Sequence, residues 1–386
     1  MSRGYRKSSL LAQRIGITLF VLCVVAGIVL ALLMMNIEIN EENLKVLKIP
    51  FTDHVIALES PTPTVVEEPI PEPDKTEEAF LPAEGTSYQE RIERSVVLPY
   101  HMMFDGKAVD DFLTRLSGTN VNTVIIEAKP ANGTLAFVSS SPLAGEANAE
   151  KNDALLALKA KIQQAGYAVV ASVSCFRDNL IPRNHEMLGC KNRDGALWGD
   201  AMRYTWLDPY SEDSHVYLIT LISDLYKLGF TEIVLTNLSF PIADDADLIV
   251  YEPGKETAEE KEQRLDQFLL QLGGFANGLP DLSLSVRFDG AEGQKLQTFA
   301  NFFYRIYLPL THGEETAVDT APIVEMSALL GEGTLPYRLV PLISLAERPA
   351  LEAYEMVKEI RPFGVGYLYD SADGVYDPIL FQTQES

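Results

Sequence analysis

The stretch EIVLTNLSFP, Glu232 to Pro241, opens with an apolar run and closes with Thr236, Asn237 and Ser239 before a proline. A short apolar run without polar alternation is the pattern of a strand covered on both faces, as in a parallel sheet. Working outward, seven similar runs occupy the rest of the C-terminal region. They are SVVLPYHM (95–102), NTVIIEAK (122–129), YAVVASVSCF (167–176), LSLSVRFD (282–289), RIYLPL (305–310), RLVPLISL (338–345) and GVGYLYD (364–370). Amphipathic stretches separate them, among them AVDDFLTRLSG, NDALLALKAKIQQAG and SEDSHVYLITLISDLYKLG. Several end in glycine, as helices often do, and Ser211 is placed to cap the helix that follows LDPY. Strands alternating with helices predict a parallel sheet, and eight of them favour a closed (β/α)8 TIM barrel over 94–386. No glycine-rich loop follows the first strand, which argues against a dinucleotide-binding fold.

In such a barrel, chemistry stands at the C-terminal ends of the strands. Those ends carry Tyr100 and His101, then Glu127 and Lys129, then Arg177 and Asp178. Asn237 and Ser239 follow strand four, Arg287 and Asp289 strand five, and Asp370 strand eight. His312 and Glu347 lie a little beyond strands six and seven. The long segment after strand three, RDNLIPRNHEMLGCKNRDGALWGDAMRYTWLDPYSEDS, holds both tryptophans, Trp198 and Trp206, with Asp194 and Asp208. Two tryptophans argue for a folded flap over one side of the mouth.

A rim of carboxylates, cations and aromatics suits a polyhydroxylated ligand. Glycoside cleavage needs two carboxyl groups across the scissile bond. Glu127 and Asp178 are the candidate catalytic pair. Lys129, Arg177, Trp198, Trp206, Asp208, Asn237, Arg287, Asp289 and Asp370 are candidate substrate contacts. Each has a structural alternative. Glu127 can pair with Lys129 or Arg177, Asp178 can cap a helix, and Asp208 can close a turn before Pro209. The tryptophans can be packing residues, and Arg287 can pair with Asp289.

The 386-residue chain carries a formal charge of -24. Such a protein is repelled by phosphate backbones, so nucleic acid is not an expected partner. Its three cysteines form no disulfide framework or CxxC site, although Cys175 and Cys190 leave a single pairing open. Five scattered histidines offer no HExxH or HxH, so neither a metal nor another cofactor is expected.

Residues 15–35, IGITLFVLCVVAGIVLALLMM, contain no charge. As a helix they would span roughly 31 Å, against a hydrocarbon core of about 30 Å. Arg3, Arg6, Lys7 and Arg14 precede them, which predicts a single-pass anchor with residues 1–14 in the cytoplasm and the rest outside. Residues 36–93, rich in Pro and Glu, read as an extended acidic linker.

Several segments together resemble the putative glycosyl hydrolase domain family, a group of bacterial extracytoplasmic barrel proteins. They are NTVIIEAKPANG, VVASVSCFRD, NRDGALWGD, TWLDPYS and YKLGFTEIVLTNLSFP. The likeness covers roughly 94–245 by motif and the rest by strand rhythm. It implies an envelope protein that acts on carbohydrate or cell-wall glycan. The family's strand-four Asp, Tyr and Arg are Thr236, Asn237 and Ser239 here, its strand-two Asp is Glu127, and its following acidic pair is Pro130-Ala131. Thr and Asn cannot serve as a carboxylate acid, so two expectations stand side by side. One is an enzyme whose acid has moved to Glu127, Asp178 or Asp289. The other is an inactive barrel that binds glycan or serves as a protein scaffold.

Overall fold

The computed structural model describes residues 91–382 apart from 145–149, 244, 252–256, 312–316 and 347, plus three short strands nearer the N-terminus. The expected anchor at 15–35, His312 and Glu347 lie outside the described residues. Among the described residues no helix is long and apolar enough to cross a membrane.

The chain divides into two units, Met1–Thr76 and Glu77–Ser386. In the first, strands Ile37–Ile39, Lys45–Lys48 and Val55–Leu58 pair antiparallel in chain order. These strands fall within 36–93, the stretch expected to be an extended linker. The runs IEI, KVLK and VIAL carry strand-forming residues, and the Pro/Glu-rich composition belongs to the part that follows them.

The second unit contains a closed, all-parallel barrel of eight strands. We label them β1 (Arg94–Leu98), β2 (Thr123–Lys129), β3 (Ala168–Ser174), β4 (Glu232–Thr236), β5 (Ser283–Arg287), β6 (Ile306–Pro309), β7 (Leu339–Ser344) and β8 (Tyr367–Asp370). They follow chain order around the barrel, and β8 closes on β1. Among the described residues, seven helices longer than a single turn run between them: α1 (Gly106–Leu116), α2 (Glu150–Gln164), α3 (Glu212–Lys227), α4 (Ala258–Ala276), α5 (Leu296–Phe302), α6 (Ala321–Leu330) and α7 (Ala350–Ile360). After β8 a short 3-10 turn, Pro378–Phe381, stands where an eighth helix would be. All eight strands match the sequence reading, but several end earlier than their apolar runs. The Tyr100–Met102 part of the first run, for example, is a 3-10 turn after Pro99.

Alternation along the strands divides the core in two. Val97, Ile125, Val170, Val234, Tyr307, Val340, Leu342 and Leu368 fill the barrel interior. Their neighbours, such as Val96, Leu98, Val124 and Ile126, face the helices. Capping fixes where helices begin. Ser211 accepts a hydrogen bond from the Ser214 N–H at the start of α3, and Thr257 and Glu260 form a reciprocal box at α4.

The N-terminal end of the barrel is sealed by charge. Arg305 is buried and bonds Glu232, with Glu93 Oε2 3.4 Å away. Ser285 Oγ donates to Glu232 Oε1 at 2.8 Å, and the Tyr307 hydroxyl donates to Glu93. A Cβ at Gly366 would lie 1.7 Å from the Glu93 carbonyl oxygen, so only glycine allows β8 to approach this seal.

Candidate active site

The strand ends opposite that seal surround a cavity of about 910 Å³. Its floor is the barrel's apolar interior, including Val97, Ile125, Val234, Tyr307, Leu342 and Leu368. Its walls carry Glu127 and Lys129 from β2, Arg177 and Trp206 from the segment after β3, Asn237 after β4, Arg287 and Asp289 at β5, and Asp370 from β8. These eight expected site residues are thus brought together.

Three others are not. Asp178 is fully buried: its Oδ1 accepts the N–H groups of Leu180 and Ile181, each at 2.8 Å, and its Oδ2 lies 2.9 Å from Lys129 Nζ. Gly133, at φ +85°, packs so closely that a Cβ there would sit 2.5 Å from Asp178 Oδ1. A carboxylate enclosed in this way faces no ligand, so the structure does not place Asp178 as the second catalytic acid. Trp198 is buried away from the cavity. Asp208 accepts the Tyr210 N–H at 2.9 Å, the turn geometry of an Asp before Pro.

Glu127 sits where the register of β2 against β3 shifts, between Glu127 and Lys129. Its Oε2 accepts the Tyr100 N–H at 2.9 Å. Burial raises the pKa of its carboxyl, and nearby Asp370 raises it further, against the opposing effects of the Tyr100 N–H and His101. Asp370 closes β8, and burial likewise raises its pKa, although Arg287 opposes this from 3.7 Å. Arg287 itself bonds Asp289 Oδ1 through Nε at 2.6 Å. Two carboxyls facing one cavity, each with its pKa raised by burial and Glu127 raised further by Asp370, are the electrostatic pattern of an acid–base pair.

Lys129 is held inward. Its Nζ donates to the Ser174 carbonyl at 2.6 Å besides pairing with Asp178. At the end of β4, Thr236 and Asn237 line the cavity and Ser239 is buried, so this strand brings no acid to the mouth. Asn237 adopts φ 50°, a left-handed conformation that Asn tolerates better than most residues. Its Nδ2 donates to Ser174 Oγ at 2.9 Å, which ties β4 to β3 at the rim.

The segment after β3 is a folded flap. Gly189 bridges to Leu207, and Gly199 bridges to Thr205. Asp200, which the sequence reading did not single out, is its staple. Arg177 bonds it through Nε at 2.7 Å, and Trp206 Nε1 donates to it at 3.3 Å. Its other oxygen accepts the N–H groups of Met202 at 2.9 Å and Tyr204 at 3.0 Å. Burial would raise its pKa, but Arg177 and these donors together lower it. Asp245, on the loop after β4, also lines the cavity and was not foreseen. Cys175 and Cys190 are free and buried, so the possible disulfide is not formed. Burial pushes the Cys175 thiol up to about 12 although Lys129 opposes it, which leaves it inert. Among the described residues no cluster of three or more His, Cys, Asp or Glu side chains is spaced to hold a metal.

Comparison with known proteins bears on the fold. Alpha-L-fucosidase isoenzyme 2 from Paenibacillus thiaminolyticus superposes with a TM-score of 0.53 at 13% identity, over 76% of this chain and 47% of that one. The chain therefore spans about half of that enzyme. The glycoside hydrolase domain of PelA from Pseudomonas aeruginosa superposes at 0.47 with 15% identity, over 73% of this chain and 96% of that domain. A hypothetical protein from Ruminiclostridium thermocellum does so at 0.41 with 22% identity, over 50% and 96% respectively. No curated protein matches. Residues 95–273 match the model of the putative glycosyl hydrolase domain family, the family whose motifs the sequence resembles, on a barrel whose structural neighbours include glycoside hydrolases.

Proposed function

We propose that this chain is a membrane-anchored, extracytoplasmic barrel that hydrolyses envelope or extracellular carbohydrate, with Glu127 and Asp370 as its carboxyl pair. One observation carries the reading: both carboxyls face one cavity, burial raises the pKa of each, and Asp370 raises that of Glu127 further. Burial together with Asp370 favours the protonated form of Glu127. Glu127 has one oxygen fixed by the Tyr100 N–H and serves as the general acid toward the glycosidic oxygen. Asp370, nearer Arg287, stays ionised and serves as base or nucleophile. The cavity's apolar floor suits the ring faces of a sugar.

The test is release of reducing ends by the detergent-solubilised full chain from isolated cell envelope and a polysaccharide panel, beside Glu127→Gln and Asp370→Asn. Release by the wild type and by neither variant is the expected result. A second reading, a barrel that binds glycan without cleaving it, is favoured by Thr236 and Asn237 on a strand end where the resembled family carries an acid. Retained sugar binding with no release from any substrate would establish that reading instead.

The uncharged run 15–35 behind a basic N-terminus supports the anchor. Deleting residues 1–35 is expected to move the protein from the membrane to the soluble fraction. Continued sedimentation with membranes would reject the anchor.

A further inference from the structure

The cavity's cations are already engaged. Lys129 is paired with Asp178, Arg177 with Asp200, and Arg287 with Asp289, at 2.9, 2.7 and 2.6 Å. Each therefore brings no net positive charge to a ligand. Glu127, Asp245 and Asp370 are left over. Glu127 is met by a backbone N–H and not by a cationic side chain. Asp370 reaches only Arg287, at 3.7 Å, and that guanidinium is already bonded to Asp289. Asp245 stands exposed on the loop after β4, with no ion pair among the described residues.

A carboxylate surplus that sits in a large cavity and is spread over β2, β8 and the β4 loop matches positive charge distributed along a ligand. It does not match a point charge, because these residues do not converge closely enough to coordinate a metal. We propose that the glycan taken by this site carries free ammonium groups: an amino sugar polymer lacking N-acetyl groups at some of its rings. The proposal rests on the carbohydrate reading above and specifies its substrate class. An ammonium on a ring bound beside Asp370 meets the charge that Arg287 leaves uncompensated there, and Asp245 selects a second ammonium at the rim. The same surplus disfavours uronic acids and sulfated sugars, whose anions would meet unpaired carboxylates.

The experiment is calorimetric titration of the full chain in detergent with short glucosamine oligomers and with the same oligomers N-acetylated. A galactosamine pair, treated identically, covers the other common ring configuration. The amine forms are expected to bind about tenfold more tightly, with the preference falling as salt is raised. Asp245→Asn is expected to weaken the amine forms about threefold and to leave the acetylated forms unchanged. Equal binding of both forms, or preference for the acetylated form, overturns the charge inference and leaves the carbohydrate reading standing. Failure of every oligomer to bind overturns the inference. Only the further absence of reducing-end release from the envelope and polysaccharide panel removes the carbohydrate reading with it.

Discussion

The two ends of this barrel use the same residue types to opposite effect. At the N-terminal end, Glu93 and Glu232 share the buried guanidinium of Arg305, and Tyr307 and Ser285 donate to the oxygens that remain. At the C-terminal end, Glu127 has one backbone N–H, and Asp370 has a guanidinium at 3.7 Å that is committed elsewhere. The first arrangement keeps charge stable inside the protein. The second leaves charge under-compensated: burial raises both pKa values, and Asp370 raises that of Glu127 further. A saturated ionic cluster can do no chemistry, whereas an unsaturated one has its needs met by a ligand or a proton. The contrast sets the mouth, the end at which barrels of this kind carry their sites, apart from the seal.

The comparison breaks first at Arg305. Replacing it with Met leaves two buried carboxylates without their cation, and a loss of about 3–5 kcal/mol of stability is expected in urea unfolding. A loss below about 1 kcal/mol would mean that the seal is not what holds this end together. At the mouth, Glu127→Gln is expected to reduce reducing-end release at least about 100-fold. Its stability at neutral pH should be unchanged or higher by about 1 kcal/mol. A variant that loses stability as Arg305→Met does would erase the distinction between the two ends.

A smaller effect is expected at the flap. Asp200→Ala removes the partner of Arg177 and orphans the N–H groups of Met202, Tyr204 and Trp206, at a cost of about 1–3 kcal/mol. Hydrogen exchange should rise across 189–207 and stay unchanged in the barrel strands. Uniform deprotection would show that the flap is part of the core.

The smallest effect concerns pH. Glu127 and Asp370 titrate above the ordinary carboxyl range of about 4 in the folded chain, so the folded state holds more protons than the unfolded one between that range and the raised values. The pair therefore costs no stability below the ordinary range, and its penalty grows as pH rises through the window. The double variant Glu127→Gln, Asp370→Asn should melt progressively higher than wild type as pH increases toward neutrality. A difference that is flat with pH would show that the two carboxyls are not raised.

The eight strands were legible because a strand buried on both faces needs an apolar run whatever it packs against. The same logic found Glu127, Arg287 and Asp370, because a polar residue that ends such a run stands at the barrel rim. It misread Asp178, which follows strand three in sequence but folds inward onto Lys129 and the amides of Leu180 and Ile181. It also passed over Asp200 and Asp245, since nothing local marks a loop carboxylate as facing a cavity.

Sequence alone therefore determined the alternation of strands and helices, the uncharged N-terminal run and the residue types at each strand end, because these depend on local pattern and composition. Tertiary structure decided which carboxylates are paired and which are left over. Compensation depends on distances between groups far apart in the chain, and Glu127 and Asp370 become neighbours only when β8 closes the barrel on β1.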